Sequence, residues 1–221
     1  MKTLFSKLSS LEVKTMSHED LEKFLPELGM NDEILHEMPS ELSSYFGFGL
    51  KFWQYPNQLS KFLKYICDKE INSYIEIGCR WGGTFVIINE ILRKTNANIK
   101  SFAVDLIDQS DILKSYEEYT PFSFLQGNSN DEAWLLSNLP EQVDLIFIDG
   151  DHSYLGLKRD YEIALKLKPK YIMFHDISSA ACPDVVKFWN EIKQQYSHVE
   201  FIDQYSSVPD DYLGIGVIEM N

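Results

Sequence analysis

The sequence predicts an α/β fold in which a helical N-terminal extension precedes a mostly parallel sheet that ends in an antiparallel hairpin. At residues 74–92, a short apolar strand leads into a glycine-rich turn and a helix. Strand-like and helix-like segments then alternate as far as residue 177, which is typical of parallel βα units. Near the C-terminus, two strand-like segments (199–205 and 212–220) flank the polar turn Ser-Ser-Val-Pro-Asp-Asp, which indicates a hairpin.

The composition changes near Lys69, where a helix-rich, aromatic leader gives way to the alternating segments. A chain of 221 residues with 44% hydrophobic content can bury one sizeable core. We therefore predict a helical extension or cap over residues 1–69 and a ligand-binding core over residues 70–221, which together form one structural domain. Within the extension, residues 45–56 hold six aromatic side chains, and core packing or a dimer interface is favoured for them over a lid.

Helix signals in the extension come from capping residues and prolines. Ser17, with Asp20 three residues later, is a variant of the capping box that begins a helix. Pro26 should end or kink that helix, because proline lacks the backbone N–H that the helix interior needs. Pro56 suits the first position of the next helix.

The glycine-rich turn indicates a ligand site. Tyr74–Ile77 form the apolar strand, and Gly78, Gly82 and Gly83 allow a tight turn and a close approach of backbone to ligand. A dinucleotide fingerprint requires its second glycine two residues after the first, whereas three residues separate Gly78 from Gly82. The spacing therefore argues against a nicotinamide dehydrogenase.

Acidic residues lie toward the ends of the predicted strand segments 102–108, 143–154 and 170–177. Asp105 lies at the end of the second strand, where a carboxylate accepts hydrogen bonds from ribose hydroxyls. Asp149 and Asp176 follow the fourth and fifth strands, and neighbouring strand ends lie only about 4.8 Å apart. With His175, these two carboxylates could hold Mg²⁺, Mn²⁺ or Fe²⁺, and hard oxygen ligands favour the first two.

The pattern Glu-x-Gly-x-x-x-Gly-Gly at residues 76–83 resembles motif I of the class I S-adenosylmethionine (SAM)-dependent methyltransferases. The segments IDGDHSY (148–154) and FHDI (174–177) resemble, more narrowly, a bacterial group of small-molecule and sugar O-methyltransferases. The resemblance covers most of residues 74–177. It implies a Rossmann-like, seven-stranded sheet, methyl transfer from SAM to a small acceptor, and Mg²⁺ or Mn²⁺ as a possible cofactor.

The resemblance, together with the turn chemistry, also assigns candidate site residues. The cofactor-binding candidates are Glu76, Gly78, Cys79, Gly82, Thr84, Asp105, Asn128, Ser129 and Asp149, and Gln126 and Asn130 offer further polar groups near the adenine. The metal-binding candidates are Asp149, His175 and Asp176, and the candidate bases are Asp151, His152 and His175, with Asp151 slightly favoured.

Structural alternatives remain open for Thr84 and His152, and for Trp81 in the glycine-rich turn. Thr84 could be an ordinary helix N-cap, with or without a role near the methionine carboxylate. His152 could cap or pack at the start of the following helix instead of acting in catalysis. Trp81 could face the sulfonium by cation–π attraction or pack on the N-terminal helices.

Charge and cysteine content restrict partners and location. The net charge of −14 argues against binding to nucleic acid or to an anionic membrane. Polar residues interrupt any apolar segment near the N-terminus, so no signal peptide is predicted, and no apolar run approaches a membrane span. The odd set Cys67, Cys79 and Cys182 favours reduced thiols in a cytoplasm.

The sequence therefore favours a cytoplasmic SAM-dependent O-methyltransferase, possibly a homodimer, with a small hydroxylated acceptor and a divalent cation. One alternative is metal-independent N- or O-methyl transfer with His152 or His175 as the base. Another is a SAM-binding protein that has lost catalysis and acts as a partner protein. Methylation of a nucleic-acid base is disfavoured by the acidity and by the absence of an Asn/Asp-Pro-Pro-aromatic motif.

Overall fold

A seven-stranded sheet forms the centre of the structure, which is a computed structural model that describes residues 1–220. Its strands are β1 (Ser73–Ile77), β2 (Lys100–Asp105), β3 (Ser123–Gln126), β4 (Leu145–Ile148), β5 (Tyr171–Phe174), β6 (Ser197–Phe201) and β7 (Ile215–Glu219). Their order is β3-β2-β1-β4-β5-β7-β6, and β7 runs antiparallel to both of its neighbours. The predicted Rossmann-like, mostly parallel sheet with its C-terminal hairpin is confirmed.

Helices cover both faces of the sheet. The α-helices are α1 (Lys2–Ser9), α2 (His18–Phe24), α3 (Pro56–Ile66), α4 (Gly83–Thr95), α5 (Asp111–Glu117), α6 (Glu132–Asn138), α7 (Tyr154–Lys166) and α8 (Pro183–Ile192). Short 3-10 helices occupy Leu25–Leu28, Leu35–Glu37, Ser40–Tyr45 and Lys193–Gln195. Buried side chains of α3, α4 and α5 form one apolar layer, and those of α6, α7 and α8 form the other. Every residue of β1 and β4 is buried, as expected of central parallel strands.

The N-terminal residues join the layer that contains α3, α4 and α5. Ser17 accepts a hydrogen bond from the backbone N–H of Asp20 at the start of α2, which confirms the predicted cap. Helix α2 ends at Phe24, and Pro26 lies in the 3-10 helix that follows. Pro56 is the first residue of α3, as predicted. The division of the chain at residues 69 and 70 stays a prediction.

The aromatic segment 45–56 serves both as core packing and as a wall of a cavity. Phe52 and Tyr55 are completely buried, whereas Phe48 is 44% exposed. The backbone of this segment lies against the first turn of α4, where a Cβ added to Gly83 would lie 2.1 Å from the Leu50 carbonyl oxygen. The predicted preference for core packing therefore holds for the two buried rings, and the dimer interface stays a prediction.

The C-terminal hairpin differs from the prediction in its connection. Strands β6 and β7 are paired, but residues 202–214 link them instead of a six-residue turn. Two side-chain amides support this longer link. Gln204 exchanges hydrogen bonds with the backbone of Tyr212 (2.9 and 3.1 Å), and Gln58 in α3 contacts the backbone of Asp203 and Gly214 (2.9 and 3.0 Å). Long-range contacts of this kind leave no pattern in the local sequence.

Within the described residues, no helix has the length and the hydropathy that a membrane crossing needs. Cys67, Cys79 and Cys182 are all free thiols, and the first two are buried. The reduced state of these thiols in a cytoplasm stays a prediction.

Candidate active site

The glycine-rich turn after β1 has the backbone conformation that its sequence predicts. Gly78 and Gly82 have positive φ angles of 84° and 83°, and Arg80 between them has a φ of 44°. A Cβ at Gly78 would lie 2.1 Å from the carbonyl oxygen of Asp149, so glycine is required there for space as well as for conformation. The turn brings the N-terminal end of α4 to the carboxyl ends of the strands, where open α/β sheets bind ligands.

One cavity of about 1020 Å³ opens at this edge of the sheet. Its walls include every residue named as a cofactor-binding, metal-binding or base candidate: Glu76, Gly78, Cys79, Gly82, Thr84, Asp105, Asn128, Ser129, Asp149, Asp151, His152, His175 and Asp176. The cavity is large enough for two small molecules side by side, because drug-sized ligand pockets span roughly 300–1,000 Å³. The fold therefore gathers the candidates, which are 100 positions apart from Glu76 to Asp176, into a single site.

At the glycine-turn end of the cavity, two acids have different environments. Asp105 is partly exposed and accepts hydrogen bonds from the backbone N–H groups of Arg80 (2.6 Å) and Ile107 (3.1 Å). Glu76 is buried and accepts a hydrogen bond from the hydroxyl of Tyr74. Burial raises the pKa of Glu76 well above its usual value, and the Tyr74 hydrogen bond offsets only part of that rise.

The turn after β3 lies along the same cavity. Asn128 accepts a hydrogen bond from the backbone N–H of Asn130 (2.9 Å), which stabilises the turn, and Ser129 is buried. Gln126, in contrast, is absent from the cavity wall and donates to Asp108 (2.8 Å). Of the four polar residues expected near the adenine, Asn128, Ser129 and Asn130 therefore reach the cavity.

At the opposite end of the cavity, four side chains converge: Asp149 and His152 after β4, and His175 and Asp176 after β5. One ligand-type atom from each lies within 4.8 Å of the others, and we call these residues the acid–imidazole cluster. His175 Nδ1 is 3.0 Å from Asp149 Oδ1 and 3.3 Å from Asp176 Oδ2. His152 Nε2 is 3.2 Å from Asp149 Oδ1 and 3.6 Å from Asp176 Oδ2.

The acid–imidazole cluster is tightly coupled in its charge. Burial acts to raise the pKa of Asp149, but His175 and His152 outweigh it and hold that pKa at about 2. Hydrogen bonding to Asp149 and then to Cys182 raises the pKa of His152 to about 11. Burial opposes charge on His175, yet the two carboxylates raise its pKa well above the usual value. The carboxylates and the imidazoles thus favour each other's charged forms.

His175 has the least satisfied polar atoms of the cluster. It is only 6% exposed, and neither ring nitrogen has a hydrogen-bond partner of acceptable geometry, although Nδ1 is close to both carboxylates. Asp176 has a left-handed φ of 59°, which is uncommon for a residue with a side chain. A buried imidazole whose ring nitrogens lack well-oriented hydrogen-bond partners is typical of a site that binds another group.

Asp151 lies apart from the acid–imidazole cluster. Its carboxylate accepts a hydrogen bond from the Ser153 backbone N–H (2.8 Å) and packs toward Gly156 in the first turn of α7. Asp151 still lines the cavity, so its proposed role as a base stays a prediction. Ser153 is the N-cap of α7, which means that the capping interpretation of His152 is wrong.

The structural alternatives for Thr84 and Trp81 have different outcomes. The N-cap of α4 is Gly82, so the interpretation of Thr84 as a helix cap is wrong, although Thr84 lines the cavity. Trp81 also lines the cavity, and Lys51 of the N-terminal segment lies 5.5 Å from the centre of its ring. A contact between Trp81 and the N-terminal segment is therefore present, whereas the proposed contact with the sulfonium stays a prediction.

One wall of the cavity comes from the N-terminal segment, where the sequence disfavours a lid over residues 45–56 and points to no individual site residue. Ile34, Glu37, Lys51 and Trp53 of the N-terminal segment line it, and Cys182 follows β5 on the other side. Glu37 is buried, and its pKa is raised by burial and by the charge of Asp176. No local motif marks the N-terminal residues, because tertiary packing alone brings them to the site. Cys182 was detectable in principle, since it lies six positions after Asp176 in the same connection.

Cys182 contacts two members of the cluster. Its Sγ lies 3.3 Å from Asp176 Oδ2 and 3.7 Å from His152 Nδ1. The thiol thus fixes the orientation of both side chains from outside the cluster.

A family model matches the centre of the chain. Residues 75–177 match the model described as a methyltransferase domain, and this range contains both ends of the cavity. Among curated proteins, an uncharacterized protein of Acanthamoeba polyphaga mimivirus is 31% identical over 124 residues, which cover 49% of this chain and 53% of that protein. The chain thus spans about half the length of the curated relative that it matches.

Several solved structures share the fold. NovP, an O-methyltransferase, is 12% identical with a TM-score of 0.61, over 93% of this chain and 100% of its own. An O-methyltransferase from Bacillus cereus in complex with SAH is 15% identical with a TM-score of 0.57, over 98% and 97%. The TDP-rhamnose 3'-O-methyltransferase of calicheamicin biosynthesis is 13% identical with a TM-score of 0.54, over 92% and 94%.

Proposed function

We propose that this chain, whose residues 75–177 match a methyltransferase-domain model, is a class I SAM-dependent methyltransferase that transfers a methyl group from SAM to an oxygen of a small hydroxylated acceptor. A divalent cation in the acid–imidazole cluster assists. The observation that carries the proposal is the single cavity that joins the glycine turn and Asp105 at one end to this cluster at the other. That arrangement places a cofactor and an acceptor side by side, as group transfer requires.

The glycine-turn end is the proposed SAM site. Gly78 and Gly82 leave room for a ligand against the backbone, and the first turn of α4 directs its free N–H groups there. Asp105 retains lone pairs for the ribose hydroxyls beside its two backbone hydrogen bonds. Asn128 and Ser129 border the position proposed for the adenine. SAM supplies the electrophilic methyl group on its sulfonium.

The acid–imidazole cluster fits a divalent cation. Asp149, His175 and Asp176 are the proposed ligands, and the unpartnered nitrogens of His175 support this assignment. Carboxylates and imidazole together suit first-row divalent ions and, through the carboxylates, Mg²⁺. The cation supplies positive charge that lowers the pKa of an acceptor hydroxyl and thereby assists loss of its proton.

Asp151 is the proposed proton acceptor. It lines the cavity two residues from Asp149, and one of its oxygens is held by the Ser153 backbone N–H. That hydrogen bond stabilises the charged carboxylate and fixes its position on the cavity wall.

One observation favours a second candidate, metal-independent methyl transfer. His152 Nε2 lies 3.2 Å from Asp149 Oδ1, so the two form an acid–imidazole pair that could act as a general base without any cation. Turnover in the presence of excess chelator distinguishes the two mechanisms. Chelation should abolish turnover under the proposed mechanism, whereas full activity would favour the His152 base.

Calorimetry tests the cofactor proposal directly. The purified protein should bind SAH and SAM and should fail to bind NAD, because the turn lacks the dinucleotide glycine spacing. Binding of NAD without SAH would contradict the proposal. Binding of SAH with no turnover on a panel of hydroxylated small molecules would support the alternative of a non-catalytic partner protein.

A further inference from the structure

We propose that His152 is the fourth ligand of the cation site and that the site therefore selects a first-row transition ion such as Mn²⁺ over Mg²⁺. The inference rests on the proposed function of the same cavity. It adds a second imidazole to Asp149, His175 and Asp176, so the ion would meet two nitrogens and two oxygens from the protein. It also removes His152 from the candidate bases.

Distances within the acid–imidazole cluster support a shared ion. Two ligands that each lie about 2.1 Å from one ion are roughly 3.0–3.5 Å apart when they occupy neighbouring corners of an octahedron or a tetrahedron. The two distances from His152 Nε2 to the carboxylates are 3.2 and 3.6 Å, and those from His175 Nδ1 are 3.0 and 3.3 Å. His152 is thus spaced from the carboxylates almost as His175 is.

The surroundings of His152 direct one ring nitrogen to the cluster. Its Nδ1 faces Cys182 Sγ at 3.7 Å, while Nε2 faces the carboxylates. Metal-binding histidines commonly have their second ring nitrogen held by an outer partner, which sets the ring orientation and the tautomer. Cys182 also contacts Asp176 at 3.3 Å, so the same thiol orients two of the four ligands.

The ligand set determines the preferred ion. Mg²⁺ favours carboxylate, phosphate and water oxygens and keeps several of its waters, whereas imidazole nitrogen suits the transition ions. Two imidazoles therefore weaken the site for Mg²⁺ relative to a site of the same size built from oxygens alone. Mn²⁺ accepts both ligand types, so its affinity should depend on His152 more strongly than that of Mg²⁺.

Metal titrations of the SAH-saturated protein test the inference. Calorimetry should show that His152→Asn lowers the affinity for Mn²⁺ by about 10–100-fold, and that of Mg²⁺ by less than about threefold. Pulsed EPR of the Mn²⁺-loaded protein should detect nitrogen couplings from two imidazoles in the native chain and from one in the variant. His18→Asn is the matched control, because His18 is a partly exposed histidine in α2 that belongs neither to the cluster nor to the cavity wall.

The outcomes separate this inference from the proposed binding of SAM. An unchanged Mn²⁺ affinity in His152→Asn, an equal loss for both ions, or coupling from a single imidazole in the native protein would overturn the inference. So would an absence of Mn²⁺ binding in protein that binds SAH. Failure to bind SAH at all would instead contradict the proposed function. If His152→Asn does not fold, the count of coupled imidazoles in the native protein still decides the question.

Discussion

The two ends of the cavity differ in what forms them: backbone groups form one end, and side chains form the other. The glycine-turn end is shaped by backbone: positive φ angles at Gly78 and Gly82 and free N–H groups at the start of α4. The acid–imidazole end is shaped by four side chains on two neighbouring strand ends. Shape should therefore decide binding at the first end, and charge should decide it at the second.

The two ends nevertheless meet at one point. A Cβ at Gly78 would lie 2.1 Å from the carbonyl oxygen of Asp149. Only glycine therefore fits at this contact between the residues that follow β1 and β4. Side-chain changes at one end should leave the other end working, whereas a backbone change at this contact should disturb both. The predictions that follow test this separation.

The largest effect is expected for Asp149→Asn. The substitution keeps the shape but removes one negative charge from the acid–imidazole end, so turnover should fall by about 100-fold or more and Mn²⁺ affinity should fall with it. SAH affinity should change by less than about threefold, because the proposed SAM site lies at the glycine-turn end. Calorimetry and a methyl-transfer assay measure the three quantities.

The exposed acid Asp111 provides a matched control for that variant. Asp111→Asn removes the same charge from the surface of α5 and should leave all three quantities unchanged. A large loss of SAH affinity in Asp149→Asn alone would show that the two ends are not separable.

Gly78→Ala should damage both ends at once. The added Cβ would lie 2.1 Å from the Asp149 carbonyl oxygen, at a residue with a φ of 84°. We expect the free energy of unfolding to fall by about 3 kcal/mol, with weaker binding of both SAH and Mn²⁺. Denaturant titration measures the first effect.

Gly150→Ala serves as the comparison for that variant, because its Cβ would find its closest neighbours at 3.3 Å and its φ is not positive. The loss of stability there should be smaller. Equal losses of stability in the two variants would show that the backbone conformation of the turn does not require glycine at position 78.

The same contrast explains how much the sequence could predict. Local patterns were enough to predict the strands, their order along the chain, the glycine turn and Asp105. Strand periodicity and glycine spacing can each be recognised within about a dozen residues. The convergence of Asp149 with Asp176 followed from the geometry of parallel strand ends. These predictions needed only the sheet.

Other features depend on packing between distant segments. Glu37 and Lys51 reach the cavity because the N-terminal segment folds over α4, and no spacing rule connects them to Gly78. Thr84 was a reasonable N-cap by residue type, but the left-handed Gly82 takes that position. The longer β6–β7 link likewise depends on Gln58, which is far away in the sequence.

Asp160 in α7 is a buried acid without the partners that Asp149 has. It is completely buried, and neither carboxylate oxygen has a hydrogen-bond partner. Burial raises its pKa from 3.8 to about 6, and the nearby Ser129 hydroxyl offsets only part of that rise. The folded state therefore holds this proton more tightly than the unfolded state, and the protein loses stability as the pH rises from about 4 to about 6.

Asp160→Asn should remove that loss. Above pH 7, the variant should be more stable than the native protein by about 2–3 kcal/mol, and this advantage should fade below pH 4, where Asp160 is protonated in both states. Thermal unfolding across this pH range measures the difference. An advantage that is the same at pH 4 and pH 8 would mean that Asp160 does not titrate in this window.

The smallest effect is expected at Asp105. Its carboxylate contributes to the glycine-turn end, where binding depends mainly on the shape of the backbone. Asp105→Ala should weaken SAH binding by about 1–2 kcal/mol, because charge-assisted hydrogen bonds to the ribose would be lost, while Mn²⁺ affinity stays the same. Asp105→Asn should weaken SAH binding less, since the amide oxygen can still accept a hydrogen bond from the Arg80 N–H and hold the turn.

Asp108→Ala, three positions away and exposed, is the control for charge alone. Unchanged SAH affinity in Asp105→Ala, measured by calorimetry, would show that the ribose does not lie at the end of β2.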